Sequence, residues 1–73
     1  MARAPKYRQI LGDAIRTYRK KAGLSQEKLA EKSDLHPVYI SAVERGAKTI
    51  SVDALMRIAA ALNIKLGELV REL

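Results

Sequence analysis

Apolar residues recur along this chain at spacings of three and four, and no apolar–polar alternation persists over a useful length. That periodicity is helical from end to end. A first helix runs from Pro5, acceptable in an opening turn, to about Lys21, with Tyr7, Leu11, Ala14, Ile15 and Tyr18 as its apolar stripe. Gly23 provides a C-terminal cap, and Leu24 beyond it is placed for a hydrophobic contact. Ser25 is a good N-cap for a short second helix, "QEKLAEKS", that buries Leu29 and Ala30. At the corner "KSDL", Asp34 is one of the few non-glycine types that tolerate a left-handed backbone. The third helix is "HPVYISAVERG", residues 36–46, with His36 as a weak N-cap, Pro37 in its first turn and Gly46 at its end. Ser51 caps a fourth, "VDALMRIAAAL", whose core face is Leu55, Ile58, Ala59 and Leu62, and Asn63 closes it. "IKLGELVREL" makes a short fifth helix, over about 65–73. Connections of two to five residues suit packed helices. With no repeat, linker or low-complexity segment, the pattern predicts a compact all-α bundle of five helices in one domain, residues 1–73.

Residues 26–46, "QEKLAEKSDLHPVYISAVERG", carry the functional signal. A short helix, a three-to-four-residue turn and a second helix describe a helix-turn-helix. So tight a corner needs a small residue where the helices touch, met by Ala30, and a turn-tolerant residue four positions later, met by Asp34. Leu29, Leu35, Ile40 and Val43 supply the inner-face anchors in register. Stepping about 100° per residue from Ile40, Val43 and Glu44 point inward. Val38, Ser41, Ala42 and Arg45 point outward, without an obvious structural need.

With "GLSQEKLAEKS", "YISAVERG" and "SVDALMRIAAALNI" on the page, residues 8–70 resemble the Cro/repressor-type, lambda-repressor-like (XRE-type) helix-turn-helix proteins of bacteria and phages. The segment "LHPVYISAVERGAKTIS" and the short length look most like the small controller proteins of restriction–modification systems. The resemblance implies a sequence-specific, double-stranded-DNA-binding transcriptional regulator that acts as a symmetric dimer on a palindromic operator and controls its own gene. It places the residue matching Gln26 near phosphate or base, and pairs the residue matching Arg19 with the glutamate matching Glu44. That buried ion pair would be structural, which removes Arg19 from the DNA contacts. Many relatives carry arginine or another polar residue at the position of Pro37; proline cannot hydrogen-bond there, which leaves more to DNA shape. Ser33 is likewise more polar than the apolar residue often found at its place.

Each candidate contact has a plainer alternative. Ser25 and the free N–H groups beside it form an anion site; Gln26 is either a DNA contact or a solvated first-turn residue. Arg45 matches guanine O6/N7, or is a C-terminal charge favoured by the helix dipole. Val38 and Ala42 suit thymine methyls, or are spacers that allow close approach. Tyr39 flanks the face and packs against a neighbouring helix or touches DNA, while Ser41 can donate to base or phosphate. His36 and Lys48 flank the helix and suit phosphates. Ile64, Leu66, Leu69, Val70 and Leu73 share one face of the last segment, either capping the monomer core or forming a dimer interface. The weakness of a short helix that contains Gly67 favours the second, and a two-fold dimer sets its recognition helices about 34 Å apart, one DNA turn.

Composition narrows the choice. Residues 1–28 hold eight basic side chains (Arg3, Lys6, Arg8, Arg16, Arg19, Lys20, Lys21 and Lys28) against Asp13 and Glu27. The remainder is balanced, so the whole net charge of +6 lies in that segment. Such a field suits nucleic acid first and an anionic membrane second, or serves as a solvated face kept basic for solubility. The chain has no cysteine and one histidine, so no disulfide and no metal site is expected, and no cofactor or small-molecule ligand. No apolar run approaches the roughly 20 residues of a membrane span, and the basic start leads into no signal core, so a soluble, unprocessed, cytoplasmic protein is expected. An enzyme is disfavoured by scattered carboxylates, a lone His36 and a chain too small to enclose a pocket. The rival from another class is a protein-interaction module on the same fold, such as an antitoxin or accessory subunit, for which an apolar third helix is apt.

Overall fold

The computed structural model describes residues 5–73, so Arg3 lies outside the described residues. Five helices follow in order: α1 (Lys6–Lys21), α2 (Gln26–Ser33), α3 (Pro37–Glu44), α4 (Val52–Leu62) and α5 (Leu66–Leu69). There is no strand among the described residues. Starts are set by capping: Ser25 Oγ accepts from the Lys28 N–H and Ser51 Oγ from the Ala54 N–H, both at 3.0 Å. His36 caps α3 through Nδ1, which accepts from the Val38 N–H at 3.1 Å, so any ring proton sits on the outward Nε2.

The first four helices stop in the same way. After α1, Gly23 has φ +72°, its N–H bonds to the Lys20 carbonyl and that of Leu24 reaches back to Arg19. Gly46 does this after α3, while Asp34 and Asn63, both at φ +57°, do it after α2 and α4. Asx side chains are the affordable non-glycine choice at such a left-handed stop. The α3–α4 connection, residues 45–51, is longer than the two to five residues expected.

One apolar core unites the helices, centred on Ile15, Leu29, Ile40, Ile58 and Leu69, all nearly without solvent contact. α2 packs on α3 and α4, and α1 lies across α3. Gly12 makes that crossing possible. A Cβ there would stand 2.5 Å from the Val43 carbonyl oxygen and 2.7 Å from that of Glu44, so the helices touch backbone to backbone. The polar Ser33 is buried at the end of α2, its hydroxyl donating to the Leu29 carbonyl at 2.7 Å. This satisfies the hydroxyl inside its own helix, which is how a serine stands where an apolar residue is usual.

Three expectations need correction. Tyr7 is exposed rather than part of the α1 core stripe, because the core ends one turn further on at Leu11. α5 is a single turn ending at Leu69, not a helix to 73: Val70 leaves helical geometry, and Arg71, Glu72 and Leu73 are exposed, with no core left for them to face. Leu69 itself, expected at a dimer interface, is 1% exposed and belongs to the core of its own chain. Ile64, Leu66 and Val70 are half-buried against that same core, leaving Leu73 as the exposed apolar residue of the set. The periodicity identified a shared face; it could not say that Leu69 alone of that face is wholly covered from within.

Candidate nucleic-acid interface

The turn between α2 and α3 fixes where α3 can look. Leu35 N–H bonds to the Ala30 carbonyl at 2.9 Å, and buried Ala30 lets the two helices close on each other. Ile40, Val43 and Glu44 then turn inward. Val38 is 67% exposed, Arg45 is exposed, and Ser41 and Ala42 are half-buried along the outer surface. An open groove joins the start of α2 to the first half of α3, lined by Arg19, Ser25, Gln26, Pro37, Val38 and Ser41. The structure therefore brings Ser25, Gln26, Val38 and Ser41 together.

Beneath that groove lies a buried carboxylate. Glu44 has no solvent contact, and its oxygens accept from Arg19 Nε at 2.6 Å and Arg19 Nη2 at 3.0 Å. Arg19, 8% exposed, also donates to the Leu24 carbonyl at 2.8 Å, which ties α1 to the α1–α2 connection. Two further partners were not foreseen. Gln26 Nε2 donates to Glu44 Oε1 at 3.0 Å, and Arg16 Nε lies 3.5 Å from the same oxygen. Arg16 stands one turn before Arg19 on the same helix face, and that spacing is the signal that would have found it. Burial pushes the Glu44 carboxyl up, but the Arg19 and Gln26 hydrogen bonds, the Arg19 charge and the Arg16 bond outweigh it. The carboxyl is held below its ordinary value of 4.5.

Gln26 is thus neither a free phosphate ligand nor merely solvated. One amide hydrogen is committed to Glu44, leaving its carbonyl oxygen and second N–H for the groove. Arg45, exposed, folds back as a C-terminal residue does, its Nε donating to the Ser41 carbonyl at 3.2 Å, and its terminal nitrogens remain donors.

A second group lies between α3 and the α3–α4 connection. Tyr39 packs against the core, and its hydroxyl accepts from the Ser51 N–H at 3.3 Å, which positions the start of α4. The hydroxyl proton remains available to donate. Lys48 is exposed, with its ammonium 6.0 Å from the Tyr39 ring centroid, and it edges an apolar groove lined by Tyr7, Arg8, Ile50, Val52 and Leu55. Arg8 Nε in that groove is buried without a hydrogen-bond partner among the described residues.

α4 carries a surface that the sequence reading did not single out. Val52 and Met56 are 74% and 52% exposed, and Ala60 is also exposed, so an apolar stripe runs along it at every fourth residue. Beside it, Arg57 Nε pairs with Asp53 at 3.0 Å and its Nη1 lies 3.6 Å from Asp34 at the helix-turn-helix corner.

Comparison with known proteins places this architecture. The helix-turn-helix family model matches residues 15–69. Control protein C.SmaI of Serratia marcescens is 42% identical over 62 residues, covering 85% of this chain and 74% of that protein. Control protein C.BamHI of Bacillus amyloliquefaciens is 42% identical over 59 residues, 80% of this chain and 73% of that one. Among solved structures, the restriction-modification controller protein C.AhdI from Aeromonas hydrophila superposes with a TM-score of 0.87 at 37% identity, over 89% of this chain and 98% of its own. The chain belongs to the helix-turn-helix family, and within it is similar over most of its length to the controller proteins of restriction–modification systems.

Proposed function

We propose that this helix-turn-helix protein is a transcriptional regulator that binds double-stranded DNA sequence-specifically as a symmetric dimer on a palindromic operator, and controls its own gene. The observation that carries the reading is the pairing of two features. α3 turns Val38, Ser41, Ala42 and Arg45 outward while Glu44 anchors it to α1 and α2 from behind. A helix held in this way, free on one side, is what enters a major groove. Ser25 and Gln26 at the start of α2 lie at the mouth of the same groove and are assigned to backbone and base contacts. Lys48 and the Tyr39 hydroxyl, beside the α3–α4 connection, are assigned to phosphates, and His36 presents its Nε2 side to solvent for the same use. The positive charge concentrated in residues 1–28 supplies the long-range attraction.

The chain is read as one DNA-binding domain. The dimer face is assigned to the exposed α4 stripe, with Leu73 and the half-buried Ile64, Leu66 and Val70 around α5 as the alternative. No helix among the described residues is long and apolar enough to cross a membrane, and the site of action is assigned to the cytoplasm. The similarity to control proteins supports autoregulation within a restriction–modification system.

The test is fluorescence-anisotropy titration of the protein against a duplex from upstream of its own gene and a shuffled duplex, with salt from roughly 50 to 200 mM. Tight binding to the native duplex alone, two chains per duplex, and steep weakening with salt are expected. Equal, weak binding to both duplexes would turn α3 towards a protein partner instead.

A further inference from the structure

The outer face of α3 is short of hydrogen-bonding groups. Pro37 has no N–H, Val38 in the first turn is 67% exposed, and Ala42 lies one turn on along the same line. The polar groups nearby are already engaged in part: Gln26 with Glu44, Arg45 Nε with the Ser41 carbonyl, and His36 Nδ1 with the Val38 N–H. The line of Pro37, Val38 and Ala42 has no side-chain donor or acceptor with which to read bases, which leaves that reading to Ser41, Arg45 and Gln26 beside it. The major groove offers it one apolar feature, the methyl group on C5 of thymine; cytosine lacks that group and 5-methylcytosine carries it.

We infer that α3 reads C5-methyl groups of pyrimidines, through Val38 in its first turn and Ala42 in its second. The inference rests on the assignment of α3 to the major groove. Four residues of helix rise by about 6 Å, close to two base-pair steps of about 3.4 Å each, so the two side chains address methyl groups about two steps apart. Binding then depends on thymine as distinct from uracil, and on whether cytosine at a contacted position is methylated. Val38 is the specificity-determining residue because it is 67% exposed and its side chain carries no donor or acceptor.

The test uses the full chain and a duplex it selects itself from a random-sequence pool. Affinity is measured for the selected duplex and for the same duplex with every thymine replaced by deoxyuridine, which removes methyl groups and keeps every hydrogen-bonding edge. The wild type should lose about fourfold for each methyl contacted, close to fifteenfold for the two of each half-site. Val38→Ala, at an exposed position that does not threaten the fold, should lose much less of its affinity on the same exchange. Replacing one contacted thymine–adenine pair by 5-methylcytosine–guanine should bind the wild type about fourfold more tightly than cytosine–guanine there.

Equal wild-type affinity for the thymine and uracil duplexes would overturn the inference while leaving the regulator reading intact. A thymine preference that Val38→Ala retains in full would also overturn it, since the preference would then come from DNA shape. Failure to enrich any sequence would overturn the regulator reading, and this inference with it.

Discussion

Glu44 collects three hydrogen bonds and a second guanidinium on two oxygens without access to water, and this concentration makes it the most consequential single residue among those described. Removing its charge leaves Arg19 buried with a guanidinium that nothing balances. Breaking one side of such a pair costs about 3–5 kcal/mol, so Glu44→Gln should lower the urea midpoint sharply, whereas a double replacement of Glu44 and Arg19 by apolar residues should recover much of the loss. The pH dependence has a definite sign. The folded carboxyl titrates below its ordinary value of 4.5, so the stabilisation is fully present above that value and is lost as pH falls through the lower, folded one. Acid unfolding of the wild type should therefore contain a step that Glu44→Gln lacks, read by circular dichroism between neutral pH and about pH 2. The Arg19–Glu44 pair was legible because the resemblance supplied both positions. The shares held by Gln26 and Arg16 were not, since residues on separate elements meet only once the crossing angles are known.

At the scale of elements, the two glycines inside helices have opposite consequences. Gly12 lies where α1 meets the backbone of α3, and any Cβ must push two carbonyl groups aside. Gly12→Ala should therefore destabilise by about 1–3 kcal/mol, although alanine is by itself the better helix former by about 1 kcal/mol. Gly67 in α5 has nothing within 4 Å of its added Cβ, so Gly67→Ala should be neutral or stabilising by up to about 1 kcal/mol. Paired thermal melts decide both, and equal shifts for the two variants would contradict the close crossing. Helix boundaries α1 to α4 could be read from caps and left-handed stops, because Ser25, Asp34, Gly46, Ser51 and Asn63 act within a few residues of themselves. The extent of α5 could not. Its length is decided by where the core ends, and its apolar face looks the same whether a partner or its own chain covers it.

For the whole molecule, the proposed dimer requires a surface for a second copy to cover, and the burial pattern favours the α4 stripe over the α5 segment. Leu69 fills the core, so Leu69→Ala should cost the monomer about 2–5 kcal/mol and lower its melting temperature without any specific effect on assembly. Val52, Met56 and Ala60 contribute little to the monomer, and scattered exposed apolar residues are ordinary; three in line at every fourth position are a stripe. Met56 lies midway along it, so two stripes packed antiparallel about a two-fold axis would bring Met56 against its own counterpart and Val52 towards Ala60 of the other copy. Asp53 and Arg57 flank the stripe with opposite charges, an arrangement that can complement itself across the axis. Met56→Glu would set two carboxylates against each other there. Because a dimer that folds and associates together melts at a temperature that rises with protein concentration, the wild type should show that rise and the M56E variant should not, while at the lowest concentrations the two melt alike. Binding of the variant to a two-half-site duplex should weaken at least tenfold and lose its steepness. If instead M56E still sediments as a dimer and Leu73→Glu does not, the exposed tail after α5 forms the interface, and the operator-binding geometry must be built from that end of the molecule.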